Sequence, residues 1–177
     1  PAVPINIVNA GISGDNAPNG RTRLRRDILS YQPDLVVVCF GLNDAGRGME
    51  GLSDYAQALE GIFRELQAAG TEVILMTPNM MGTRAVAEEK DSFIHSLLED
   101  ITKLQTDGIM DAYMDKAREV CAANGVPVCD CYRKWKRLEE SGADVTRLLA
   151  NRVNHPTENM HWLFAASLFE TMLFGEI

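Results

Sequence analysis

Four short apolar runs, at residues 5–10, 35–40, 72–77 and 126–131, alternate with longer amphipathic stretches, and this pattern restricts the chain more than any other feature. Leu35-Val36-Val37-Val38-Cys39-Phe40 offers no polar position, so a strand built from it is covered on both faces. Such strands pair in parallel, and parallel neighbours need a crossover, usually a helix, between them. Helices are predicted at 19–31, 53–69, 86–106, 108–123, 132–140 and 157–174. In the second, Leu59, Ile62, Phe63 and Leu66 recur at helical spacing and face the sheet. Ser53 is placed to cap that helix and Gly70 to end it, while Gly125 ends the helix before Val126. The helix bearing Trp135 and Lys134-Lys136-Arg137 is expected at the surface. Trp162, Leu163, Phe164, Leu168, Met172 and Leu173 read as the buried stripe of the last helix. The fold class is α/β, a three-layer α/β/α sandwich with a parallel, flavodoxin-like sheet.

Composition narrows the partners. With 177 residues, 46% of them hydrophobic, the chain can bury one core, and no linker or repeat divides residues 1–177. A net charge of −8 is a poor match for nucleic acid or an anionic membrane. No apolar run is long enough to span a bilayer. Arg21, Arg23, Arg25 and Arg26 on the first helix are expected to pair with carboxylates or stay solvated. The four cysteines, Cys39, Cys121, Cys129 and Cys131, read as buried free thiols, which fit a reducing compartment. Cys129 and Cys131 are expected on one face of a strand with Asp130 opposite. One Cys-x-Cys pair is a weak metal signal, and no metal or organic cofactor is expected. No initiator Met or signal peptide precedes Pro1, so the localisation stays open.

Chemistry concentrates at three points. Asn43, in Phe40-Gly41-Leu42-Asn43-Asp44, presents a carboxamide N–H just past a strand. Gly14, in Gly11-Ile12-Ser13-Gly14-Asp15, follows the run at 5–10. Two donors at neighbouring strand ends are the makings of an oxyanion hole. His155 precedes Pro156, which biases it towards an extended conformation ahead of the last helix. An imidazole there can take and return a proton near neutral pH. His95 and His161 are expected to be structural. The loop from Met76 to Arg84 leaves a strand at the carboxyl edge, where open α/β sheets bind ligands; it either walls the site or places its methionines in core gaps.

These residues carry a resemblance to the GDSL-type, or SGNH, hydrolase superfamily of serine esterases and lipases. Val8-Asn9-Ala10-Gly11-Ile12-Ser13-Gly14-Asp15 resembles the family's second block, Gly41-Leu42-Asn43-Asp44 its third, and His155-Pro156 with Glu158 and His161 its last. The resemblance runs from Ile5 to about Ala166. It implies a serine ester hydrolase acting on a small-molecule ester, with Gly14 N–H and the Asn43 side chain as oxyanion donors and His155 as base. Short acyl esters are the implied substrates: acetyl groups on carbohydrate, lysophospholipids or thioesters.

Two departures stand out. The family's nucleophile lies in a Gly-Asp-Ser block after the first strand, and no Gly-Asp-Ser occurs here. The expectation is that the serine and its strand lie upstream; Ser13 belongs to the oxyanion block. The family also places Asp three residues before its histidine, where this chain has Arg152. Asn151, Asn154, backbone carbonyls and Asp130 are the candidate replacements, or the serine and histidine act without one. Arg152 also supports a catalytically silent, ligand-binding relative. A flavodoxin-like nucleotide or signalling domain shares the layered pattern but gives Asn43 and His155 no purpose.

Overall fold

The computed structural model describes residues 4–84 and 92–175, giving only the backbone for 92–97. Three strands, β1 (Leu35–Val38), β2 (Glu72–Met76) and β3 (Val128–Cys129), form a parallel sheet in the order β1-β2-β3. The register sets Val38 beside Leu75 and Met76 beside Cys129. All three therefore end at one carboxyl rim.

Alternation along the strands sends side chains to two helical layers. Val36, Val38, Val73 and Leu75 pack into the larger core with helices α3 (Leu52–Ala68) and α5 (Ile109–Asn124). Leu35, Ile74, Met76 and Cys129 face the other way, towards Leu163, Phe164 and Leu168 of α7 (His161–Phe174). This is the predicted α/β sandwich. Leu59, Ile62, Phe63 and Leu66 are buried as their spacing requires, and each such side chain stabilises the fold by about 1.5–3 kcal/mol.

Local signals fix most helix ends. Asn16 caps α1 (Ala17–Asp27) by accepting from the Asn19 N–H at 3.0 Å. At the end of α3, Gly70 takes φ +78° and the Thr71 N–H returns to the Leu66 carbonyl at 3.1 Å. Ser53 does not cap α3. The helix starts at Leu52 behind Gly51, and the Ser53 hydroxyl instead accepts from Gln57 at 3.1 Å. Helix α4 (Ser92–Thr106) covers the described part of the stretch predicted at 86–106.

Four expectations are corrected. Residues 5–10 form no strand among the described residues, and Ile5 and Ile7 are 79% and 88% exposed. A strand exists only by ladder pairing, and no described segment pairs with this one. Helix α6 (Cys131–Glu140) is not a surface element throughout. Trp135 and Tyr132 lie in the core, while Lys134 reaches Glu170 at 2.6 Å. The apolar stripe of α7 is only partly covered: Trp162, Met172 and Leu173 are exposed, and Ser167 is the one fully buried residue. Only one side of that helix meets the sheet, and apolar residues occur all round it. Cys39 is exposed rather than buried, because β1 stops at Val38. The other three thiols are buried and free.

Candidate active site

The loop after β1 is held from within. Gly41, at φ +132°, opens the four-residue helix α2 (Leu42–Ala45). A Cβ there would lie 2.4 Å from the Met114 methyl carbon, the movable end of a flexible side chain, so it is the positive φ that calls for glycine. Asp44 is 3% exposed. One of its oxygens accepts from the Gly41 N–H at 2.9 Å, and the other from the Ala17 N–H at 2.9 Å. A single carboxylate thus fastens the start of α1 to the turn that carries Asn43.

Burial pushes the Asp44 carboxyl up from the usual carboxylate range, against the pull of these N–H bonds. A group raised in the fold adds stability below its unfolded value, and that contribution is lost as pH rises through the folded one. Asp44→Asn is expected to abolish this pH slope. It also turns an N–H₂ towards a backbone N–H, at a cost of about 1–3 kcal/mol. Urea denaturation of both proteins across a pH series measures both effects.

Asn43 is exposed and donates one side-chain N–H to the Asp15 carbonyl at 2.7 Å. That carbonyl follows Gly14, which sits at φ +75° in a turn closed by the Asp15 N–H on the Ile12 carbonyl at 3.2 Å. The positive φ at the third turn position is one that glycine adopts freely. Arg23 braces the same segment, donating to Asp15 at 2.7 Å and to the Ala10 carbonyl at 2.8 Å. Gly14 and Asn43 are therefore joined through one hydrogen bond. Each keeps a donor without a protein partner among the described residues: the Gly14 N–H and the second carboxamide N–H.

His155 comes from a separate loop that is moored to β2. Asn79, buried just beyond the end of β2, donates to the Asn154 carbonyl at 2.8 Å. Gly82 donates to the Val153 carbonyl at 2.6 Å. A Cβ on Gly82 would lie 2.6 Å from the Arg152 carbonyl oxygen, so the two backbones meet only because residue 82 lacks one. Gly82→Ala is expected to push this loop off the rim, seen as a changed His155 ring signal in NMR and a lower Tm.

Within the loop, the Asn151 side-chain oxygen accepts from the N–H groups of Val153, Asn154 and His155 at 3.1, 3.0 and 2.9 Å. Its N–H₂ donates to the Asn154 side chain at 3.0 Å. Both asparagines considered as replacements for the family's aspartate are thus spent on the loop. Asp130 is committed elsewhere. It pairs with Arg118 at 2.9 Å, accepts from Thr77 at 3.0 Å and caps α6. Burial acts upward on its carboxyl, but Arg118 prevails and holds it below the ordinary range.

The His155 ring is exposed and has no hydrogen-bond partner among the described residues, and no bond joins it to Asn43 or Gly14. His161 starts α7 with its ring 6.3 Å from that of Phe164, and the His95 side chain lies outside the described residues. Met80 and Met81 fill the core, so the loop after β2 contributes packing and the Asn79 mooring. A groove of about 530 Å³ between α1 and α3 is lined by none of the three site residues. Its three arginines pair with Glu65, which Arg21 and Arg25 share, and with Asp54 at 2.8–3.7 Å. Sequence reasoning missed the roles of Asp44, Asn79 and Gly82, and offered Asn151 as a partner for the histidine rather than as the organiser of its loop. Asp44 stood inside Gly-x-Asn-Asp, and the asparagine-rich stretch at 151–154 is a side-chain-capped turn signal.

Parallel strands, a carboxyl-rim Asn beside a glycine turn, and a His-Pro loop describe a lipase-like hydrolase scaffold. Residues 2–163 match the GDSL-like lipase/acylhydrolase family, and the chain belongs to it. It is similar to Esterase TesA of Pseudomonas aeruginosa, 31% identical over 130 residues, which cover 63% of this chain and 64% of that protein. An acetylxylan esterase of Geobacillus stearothermophilus is 30% identical over 87 residues, 44% of this chain and 40% of that protein. The chain thus spans less than two thirds of the length of either relative. The fold is shared with the Geobacillus stearothermophilus acetylxylan esterase Axe2, with a TM-score of 0.73 at 22% identity over 94% of this chain and 72% of that one. Solved structures of Axe2 include catalytic mutants at a serine, at a histidine, and at an aspartate three positions before that histidine. Among the described residues, no helix is long and apolar enough to cross a membrane.

Proposed function

We propose that the chain is the oxyanion- and base-bearing part of a serine carboxylic-ester hydrolase. The nucleophile comes from a Gly-Asp-Ser block that these 177 residues do not contain. The serine oxygen attacks the ester carbonyl carbon while its proton passes to the His155 imidazole. The carbonyl oxygen becomes an oxyanion, met by the Gly14 N–H and the free N–H of Asn43. Collapse expels the alcohol, which takes its proton from His155. Water then repeats the cycle on the acyl-enzyme and releases the acid. The hydrogen bond from Asn43 to the Asp15 carbonyl carries this reading, because it sets a carboxamide beside the glycine turn at the end of β1. With Asn151, Asn154 and Asp130 engaged elsewhere, His155 works as one half of a dyad. Acetyl esters of carbohydrate are the favoured substrates, by similarity to the acetylxylan esterases. The test is hydrolysis of p-nitrophenyl acetate and acetylated xylo-oligosaccharide by the full-length enzyme. Turnover blocked by a serine-directed phosphonate, with the label in the Gly-Asp-Ser block, supports it.

Arg152 favours a second reading. It stands at φ +60°, exposed, where the family has its carboxylate. A silent, ligand-binding relative predicts neither turnover nor phosphonate labelling, together with retained binding of the acetylated oligosaccharide.

A further inference from the structure

Three of the buried groups that ester hydrolysis does not use are cysteines, and two of them lie together. β3 ends at Cys129 and α6 begins at Cys131. Between them Asp130 takes φ −86° and ψ 73°, close to the values of about −75° and +65° of an inverse γ-turn. This turn, rather than the extended strand expected from sequence, folds the three residues back on themselves. The two sulfurs come within 3.8 Å, and both residues are wholly buried. Asp130 is fixed by Arg118, Thr77 and the Arg133 N–H, so the turn is held from outside the pair. In a straight strand, residues two apart have Cα atoms about 6.6–6.8 Å apart, at the upper edge of the disulfide range, and a bend at the middle residue draws them closer.

We propose that Cys129 and Cys131 form an oxidisable dithiol that hydrogen peroxide converts to an intramolecular disulfide. The Cys129 thiolate attacks one peroxide oxygen, and the O–O bond breaks. Cys129 becomes a sulfenic acid, and the departing hydroxide takes a proton to become water. The Cys131 sulfur then attacks the Cys129 sulfur and displaces its hydroxyl, which leaves as water with the Cys131 proton. Two thiols are oxidised and one peroxide is reduced to two waters.

The surroundings favour Cys129 as the first sulfur. A hydrogen bond from Cys131 draws the Cys129 thiol down from its ordinary range, with the Thr171 hydroxyl and the Lys134 charge acting in the same direction and burial and the Asp130 charge acting against it. Cys131 is correspondingly raised, as the group that keeps the proton. Access runs past α7, which covers the pair with Ser167, Thr171 and Phe164 while leaving Trp162, Met172 and Phe174 in water. A helix packed on one side only opens more readily than one buried all round, and peroxide is small.

The test uses the native protein. It is treated with hydrogen peroxide, denatured, alkylated with iodoacetamide and digested with trypsin. The peptide from Glu119 to Arg133 holds three of the four cysteines. Peroxide is expected to remove two alkyl groups from it, with the two sulfurs joined to each other instead. Fragmentation should place the remaining label on Cys121, and prior reduction should restore all three. The two labels should fall together, at one rate. Retention of all three labels overturns the proposal, as does a bridge involving Cys121, Cys39 or a second molecule. In Cys131→Ser, dimedone should capture a sulfenic acid at Cys129; capture at another cysteine overturns the order of the steps. The peptide map of the unaltered protein decides the bridge even where that variant does not fold. Neither readout depends on ester hydrolysis.

Discussion

His155→Ala in the full-length enzyme is expected to lower kcat for p-nitrophenyl acetate by about 10³–10⁴-fold with little change in KM. A general base acts in the transition state, so its loss falls on the chemical step rather than on binding. The ring is exposed and makes no hydrogen bond within the described residues, so its removal should leave Tm within about 1 °C. His161→Ala provides the contrast. That ring meets Phe164 at the start of α7, and its loss should affect stability more than turnover. If His161→Ala abolished hydrolysis and His155→Ala did not, the base would have been assigned to the wrong histidine.

Asn43→Ala is expected to lower kcat by about 10²–10³-fold, the usual effect of deleting one oxyanion donor. Here the side chain has two tasks, since one N–H holds the Asp15 carbonyl and the other faces outward. Asn43→Asp separates them. A carboxylate has no N–H for either task and repels a developing oxyanion, so it should be at least as slow as alanine. Asn43→Gln keeps both N–H groups on a longer stem. Recovery of the fold in Gln without recovery of rate would show that placement of the donor matters beyond its presence. Unchanged kcat in Asn43→Ala would remove the residue from the reaction.

Much of this was legible because burial dictates pattern. The runs at 35–40 and 72–77 form strands since nothing polar interrupts them, and Leu59, Ile62, Phe63 and Leu66 face inward because helical spacing leaves them no alternative. The run at 5–10 misled for the same reason: apolar composition states a need for cover but does not provide a partner strand. Cys129-Asp130-Cys131 was read as strand because local composition cannot reveal that Asp130 ends β3 and caps α6. Asn43 and Gly14 were visible as donors. The carboxylate that fastens them, the Asn79 mooring and the close approach at Gly82 are long-range contacts, joining residues 27 and 75 positions apart in two of these cases. No window along the chain contains them.

The loop before Pro156 takes its shape from an uncharged group, since one carboxamide oxygen gathers three successive amide hydrogens. Asn151 neither titrates nor attracts counterions. The amide signals of Val153, Asn154 and His155 in NMR should therefore stay in place between dilute and concentrated sodium chloride, because no ion pair holds the loop.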